Sequence, residues 1–151
     1  MPGPEDPAPS IVVRLRREDF LAMVAHCQDT FPEEGCGLLA GRLLADSSGP
    51  DGSIGAIYPC RNEDASARTY TVDSRDLIRA LRHAESQGLE LIGVFHSHTH
   101  TAAYPSPTDV RQAPDPNWLY LIVSLEHAEA VLRAYSIRDG NIREVPVVLE
   151  I

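Results

Sequence analysis

One short stretch of the chain is dense in side chains able to bind a metal or move a proton: His96-Ser97-His98, followed by Ser106-Pro107-Thr108-Asp109. Two histidines at i and i+2 of an extended segment project to the same side, so both imidazoles can be aimed at one point. Imidazole nitrogen and carboxylate oxygen suit zinc. Three protein ligands leave a fourth position open, which separates a catalytic zinc site from a structural one. Ser106-Pro107-Thr108-Asp109 also reads as a helix start, with Ser106 as N-cap, Pro107 at N1 where its missing N–H costs nothing, and Asp109 at N3. Taken alone, these four residues describe a well-capped helix. Following His-x-His, they set a third ligand, Asp109, and a hydroxyl, Ser106, beside the same cavity. Zinc hydrolysis also needs a general base, and Glu33 and Glu34, just before Gly-Cys-Gly-Leu-Leu, are the candidates. An isolated Glu there would be an ordinary solvated loop residue; the metal site is what makes either of interest.

The elements that must position these groups follow from periodicity. Residues 11–15 form a first strand. From residue 17 to 29 the apolar positions Phe20, Met23, Val24 and Cys27 recur at helical spacing, and Pro32 ends that helix. Residues 37–44 are strand-like, residues 46–53 with Gly49, Pro50 and Gly52 are a turn, and residues 54–58 and 69–72 are further strands. Asp73 or Ser74 can cap a second helix with Leu77, Ile78 and Leu81 at helical spacing, stopped at Gly88. Residues 91–95 form a short buried strand that ends directly at His96. Residues 118–125, 130–137 and 142–149 are strands, the last two joined by the hairpin signal Asp139-Gly140, and Pro146 confines the final strand to an edge or a bulge. The expected fold class is α/β: a curved mixed β-sheet flanked by two main helices and one short one.

A chain of 151 residues fits one domain with its own core. The division expected is a flexible Pro-rich tail over residues 1–10 and one catalytic domain over residues 11–151. No apolar run approaches the roughly 18 residues needed to span a bilayer, and the N-terminus lacks the pattern of a secretory signal. A cytoplasmic protein with no membrane partner is therefore expected. A formal net charge of -9 argues against nucleic acid and reads as a solubilising surface. Cys27, Cys36 and Cys60 are odd in number and lack a CxxC pair, so neither a disulfide framework nor a separate structural zinc site is expected. Cys27 falls on the apolar helical stripe and Cys36 reads as a small buried side chain. His100 shares the alternation of His96 and His98 but lies where the chain should be turning, and reads as a rim residue.

The whole pattern resembles the signature of the JAMM (MPN+) zinc metallopeptidases: His-Ser-His, seven residues, Ser, two residues, Asp, with Glu34-Gly35-Cys36-Gly37 matching the upstream Glu element. Glu33 misses that register. The resemblance extends over about residues 11–149 and implies the MPN fold, which is cytidine-deaminase-like. It further implies one zinc per chain held by His96, His98 and Asp109, with Glu34 as the general base and Ser106 donating to the developing oxyanion. In this family the scissile amide usually follows the C-terminal Gly-Gly of a ubiquitin-like protein. The compact length and the run Ala-Tyr-Pro-Ser-x-Thr-Asp-Val at residues 103–110 are most similar to the bacterial CysO-cysteine peptidases. That likeness implies a ubiquitin-like sulfur carrier as substrate and cysteine as a candidate leaving group. Two alternatives stand beside it: a non-catalytic MPN module that binds a ubiquitin-like carrier, and a zinc amidohydrolase acting on a small molecule. The oligomeric state is not legible in the sequence.

Overall fold

The computed structural model describes residues 11–151; the tail expected over residues 1–10 lies outside the described residues. In chain order the elements are β1 (Val13–Arg16), α1 (Arg17–Thr30), β2 (Cys36–Leu43), β3 (Pro50–Cys60), α2 (Ser74–Ser86), β4 (Glu90–His98), α3 (Pro107–Arg111), β5 (Leu119–Ser124), β6 (Val131–Arg138), β7 (Asn141–Val145) and β8 (Val147–Glu150). The strands make one mixed sheet in the order β7-β6-β5-β4-β2-β3-β1-β8. β1 runs parallel to β3 and β8, and β4 runs parallel to β5; the other pairs are antiparallel. Because β7 and β8 are consecutive in the chain yet lie at opposite edges, the sheet curls until it is nearly closed. Register shifts along β2, against both of its neighbours, supply local bends of the kind that such curvature needs.

Side chains alternate faces along each strand, which divides the core. Val13, Leu15, Leu39, Phe95, Leu121 and Val123 form the larger cluster with Met23 and Cys27 of α1. On the other face Val94, Tyr120, Ile122 and Tyr135 form a second cluster, while Cys36, Leu38, Cys60 and Ala80 of α2 form a third. In β4, Phe95 therefore faces α1 while Val94 faces the other layer, and His96 and His98 follow Val94. Among the described residues no helix is long and apolar enough to cross a membrane.

Several expectations need correction. The turn predicted over residues 46–53 ends at Gly49, and Pro50 to Ser53 already belong to β3. Gly52 serves there as a close-approach residue: its φ is +99°, and a Cβ would run into the Val12 carbonyl oxygen. Residues 69–72 are no strand. They make a single bridge, Asn62↔Val72, because the backbone groups of Thr69 and Thr71 are taken by the Asn62 side chain. The final stretch is two strands, not one. Pro146 has no N–H for a ladder, so the chain leaves β7 there and crosses to pair with β1, where the Pro146 carbonyl accepts from Val13 N at 2.8 Å. The stripe of α2 marks the helix but not its packed side: Leu77, Ile78 and Leu81 are 36%, 49% and 43% exposed, and Ala80 and Ala84 meet the sheet instead. Small residues let that helix approach closely. β4 also runs on through both histidines to His98 rather than stopping before them.

Gly37 tests how tightly β2 and β4 are fitted. A Cβ at this position would overlap the Phe95 ring and the Tyr58 carbonyl, one residue away from His96. Gly37→Ala should lower unfolding free energy by about 1–3 kcal/mol, the usual range for overpacking, read as a lower urea midpoint with unchanged slope.

Candidate metal centre

The site is set by the antiparallel register of β2 and β4, in which Cys36 lies opposite His96. Carried past the end of β2, that register sets Gly35 beside Ser97 and Glu34 beside His98. The hydrogen bonds agree: Ser97 N donates to Gly35 O at 2.9 Å, and Gly35 N donates to Ser97 Oγ at 2.8 Å. Ser97 faces the α1 layer while its two neighbouring histidines face the cavity, so the middle residue of His-x-His clamps the strands together.

Three atoms able to act as ligands converge. His96 Nε2 and His98 Nε2 are 3.2 Å apart, and Asp109 Oδ2 lies 3.2 Å from the first and 3.0 Å from the second. Tetrahedral zinc at roughly 2.0–2.1 Å from each ligand would space neighbouring ligand atoms at about 3.3 Å, so the triangle fits zinc. Each ligand is oriented from behind. His98 Nδ1 lies 2.9 Å from the Ala102 carbonyl, which can only accept, so Nδ1 carries the proton and Nε2 faces the cavity. His96 is stacked on the Tyr70 ring, with centroids 4.3 Å apart. Asp109 is fixed by the capping box of α3: Asp109 N donates to Ser106 Oγ at 3.0 Å, and Ser106 N donates to Asp109 Oδ2 at 2.9 Å. Ser106 Oγ accepts in this pair, so its own O–H remains available to donate.

Glu34 is 3% exposed, and a carboxylate oxygen of it joins the two imidazoles in a cluster of ligand atoms all within 4.8 Å of one another. A metal could thus be held by the histidines with either acid as the third ligand. The electrostatics separate the two. Burial, reinforced by the Asp109 charge, pushes the Glu34 carboxyl from an ordinary 4.5 up to about 8, and its Oε2 has no hydrogen-bond partner. Burial also acts against ionised Asp109, but hydrogen bonds from His96 and His98 outweigh it and hold that carboxyl well below the usual range. Asp109 stays a carboxylate, as a ligand must, while Glu34 can carry a proton. His96 is pushed down by burial; in His98 burial acts the same way, but the hydrogen bonds to Asp109 and Ala102 together with the charges of Asp109 and Glu34 outweigh it, and the net shift is upward.

Of the residues singled out in the sequence, Glu34, His96, His98 and Asp109 are brought into one cluster, and Ser106 joins them through Asp109. Glu33 stands outside this group. His100 is exposed, its Nδ1 2.9 Å from Thr99 Oγ1 and its ring tilted against Phe31. Cys27, Cys36 and Cys60 are free and buried. Sequence reasoning missed Tyr70, which it assigned to a strand, and the clamping role of Ser97. Nothing in local periodicity reports a ring stacked across the fold.

In metal-free protein the Glu34 shift has a sign that can be measured. An acid whose folded pKa exceeds its unfolded value binds more protons in the folded state, so stability is present at low pH and lost as pH rises from about 4.5 to about 8. Chelator-treated Glu34→Gln should therefore gain stability over wild type on going from pH 5 to pH 8.5, by on the order of a few kcal/mol, in urea titrations at the two pH values.

Comparison with known proteins identifies the family. Residues 16–138 match the family described as Prok-JAB, prokaryotic homologs of the JAB domain. The CysO-cysteine peptidase of Mycobacterium tuberculosis (strain ATCC 25618 / H37Rv) is 37% identical over 140 residues, covering 91% of this chain and 92% of that protein. A desampylase of Haloferax volcanii is 32% identical over 120 residues, covering 79% and 80%. Among solved structures, a protein of Desulfitobacterium hafniense superposes with a TM-score of 0.82 at 33% identity, covering 92% of this chain and 93% of that one. A JAB1/MPN domain protein from Archaeoglobus fulgidus shares the fold at a TM-score of 0.54 and 19% identity. By its site, its fold and these relatives, the chain belongs to the JAB (JAMM/MPN) family of peptidases, within the prokaryotic branch.

Proposed function

We propose that this chain is a zinc-dependent peptidase. Its substrate is the amide bond after the C-terminal Gly-Gly of a ubiquitin-like or sulfur-carrier protein, and cysteine is a fitting leaving group. The observation that carries the reading is the convergence of His96 Nε2, His98 Nε2 and Asp109 Oδ2 beside a buried Glu34 with an unpartnered carboxylate oxygen. Relatives named a CysO-cysteine peptidase, desampylases, a probable TtuB-protein conjugate cleaving protease and a Lys-63-specific deubiquitinase support the substrate class. In this reading His96, His98 and Asp109 hold one zinc ion per chain, and the cavity belongs to a cytoplasmic enzyme whose thiols stay reduced. Zinc supplies Lewis acidity, lowering the pKa of water and polarising a carbonyl oxygen.

The remaining work falls to protein side chains. Glu34, as the carboxylate, takes a proton from the attacking water and returns it to the leaving amine. Ser106 donates its free O–H to the carbonyl oxygen as negative charge grows there. The products are the carrier's free C-terminal carboxylate and the released amine. Glycines before the scissile bond let an extended tail run along backbone at the cavity mouth, with main-chain hydrogen bonds setting its register.

Glu34→Gln should keep one zinc per chain while kcat on a carrier-cysteine adduct falls at least about 100-fold. His96→Ala and Asp109→Ala should lose the metal, read by elemental analysis. An active Glu34→Gln with a dead Glu33→Gln would reverse the assignment. Changing the carrier's penultimate Gly to a bulky residue should abolish cleavage, and varying the amine should matter less. Equal rates on a small acyl-amide without a Gly-Gly tail would point to a small-molecule amidohydrolase.

A further inference from the structure

Glu34 and Gly35 are held at every main-chain polar group. Glu34 N donates to Ser66 O at 2.8 Å, and Glu34 O accepts from Asn62 Nδ2 at 3.1 Å. Gly35 is clamped on both sides by Ser97, as described above. Asn62 does more than meet Glu34. Its Nδ2 also donates to Thr69 O at 3.0 Å, and its Oδ1 accepts from Asp64 N and Thr71 N, each at 3.0 Å. All four hydrogen-bonding positions of the carboxamide are used, two as donor and two as acceptor. The orientation is unambiguous, since a flipped amide would set its oxygen against two carbonyls.

The side chain of Glu34 is anchored less firmly than its backbone. Oε2 has no partner, so the main chain decides where the carboxylate stands relative to His96 and His98. Both main-chain bonds of Glu34 run to residues 61–73, the segment that also carries Tyr70 against His96. Asn62 ties this segment to itself and to Glu34 with one planar group, from 28 positions further along the chain. We infer that Asn62 is a positioning residue that sets the proton-carrying Glu34 against the two histidines through its carboxamide bond to the Glu34 carbonyl. The inference rests on the proposed role of Glu34, and it concerns a residue outside the Glu, His-x-His and Ser-x-x-Asp elements.

A group that merely closes a loop would behave differently. The acceptor Oδ1 closes the segment on Asp64 and Thr71, whereas the donor Nδ2 bonds Thr69 within the segment and also reaches out of it to Glu34. The test uses zinc-loaded full-length protein, with kcat and KM on a carrier-cysteine adduct, zinc content and thermal midpoint as readouts. Asn62→Ala should lower kcat about 10–100-fold, the effect expected of a small misplacement, with KM little changed and one zinc per chain retained. Placed in the Glu34→Gln background, the same substitution should lower the residual kcat by less than about twofold, because the group it positions no longer acts. Asn62→Asp retains the loop-closing acceptor and removes the donor, so it should fall as far as Asn62→Ala; it also supplies the deciding measurement if the alanine variant does not fold. A folded Asn62→Ala with wild-type kcat would overturn the inference. So would recovery in Asn62→Asp, or an undiminished loss in the Glu34→Gln background. An active Glu34→Gln would instead overturn the role of Glu34 itself, which keeps the two failures distinct.

Discussion

The pairing of β2 with β4 is the constraint on which the rest of the molecule depends. Side chains alternate with a period of two, so a slip of one residue would turn His96 and His98 into the α1 layer and bring Ser97 into the cavity. The register is pinned by fit as well as by hydrogen bonds. Gly37 leaves room for the Phe95 ring, and Ser97 uses both its backbone and its hydroxyl on Gly35. Once Cys36 lies opposite His96, Glu34 is brought beside His98, and its main-chain bonds to Asn62 and Ser66 hold it there. The loop after β4 and the short α3 then need only bring Asp109 back to a point already defined.

Two carboxyl groups in one cavity are driven in opposite directions by their surroundings. Asp109 receives the Ser106 N–H and faces two imidazoles, and remains an anion despite its burial. Glu34 is buried with one oxygen unpartnered and with Asp109 nearby, and in metal-free protein its carboxyl is pushed up to about 8. The Asp109 charge raises the affinity of Glu34 for protons, so the two carboxyl groups are set apart in part by each other. A site with the same residues and a solvated Glu34 would lack this asymmetry.

What was legible in the sequence was local. His96 and His98 are two positions apart on one strand, and Ser106 and Asp109 are three apart in one helical turn, so spacing alone reports their geometry. The periodicity of α1 and the Asp139-Gly140 hairpin are equally short-range; both hairpin residues have positive φ, 49° and 77°. Contacts made between distant segments left no comparable trace. Asn62 looks like any polar loop residue until Glu34, Thr69 and Thr71 are seen around it. The strand reading of residues 69–72 failed because a side chain had taken the ladder's place. The packed side of α2 was hidden because alanines, not leucines, meet the sheet. The crossing at Pro146 was half visible, since proline announces an edge but not which edge the chain goes to next.

That crossing has a consequence for how the protein is made. β8 pairs with β1 in parallel from Val13↔Val147 to Arg16↔Glu150, so the first described strand takes its neighbour from the far end of the chain. During translation at ordinary rates, β1 must wait on the order of ten seconds for that partner to emerge. Until then the only strand ladder available to it among the described residues is the brief one with β3, through Arg14↔Ser53. The nascent chain therefore carries an incompletely covered strand edge, open to wrong pairing, until residues 147–150 have been made.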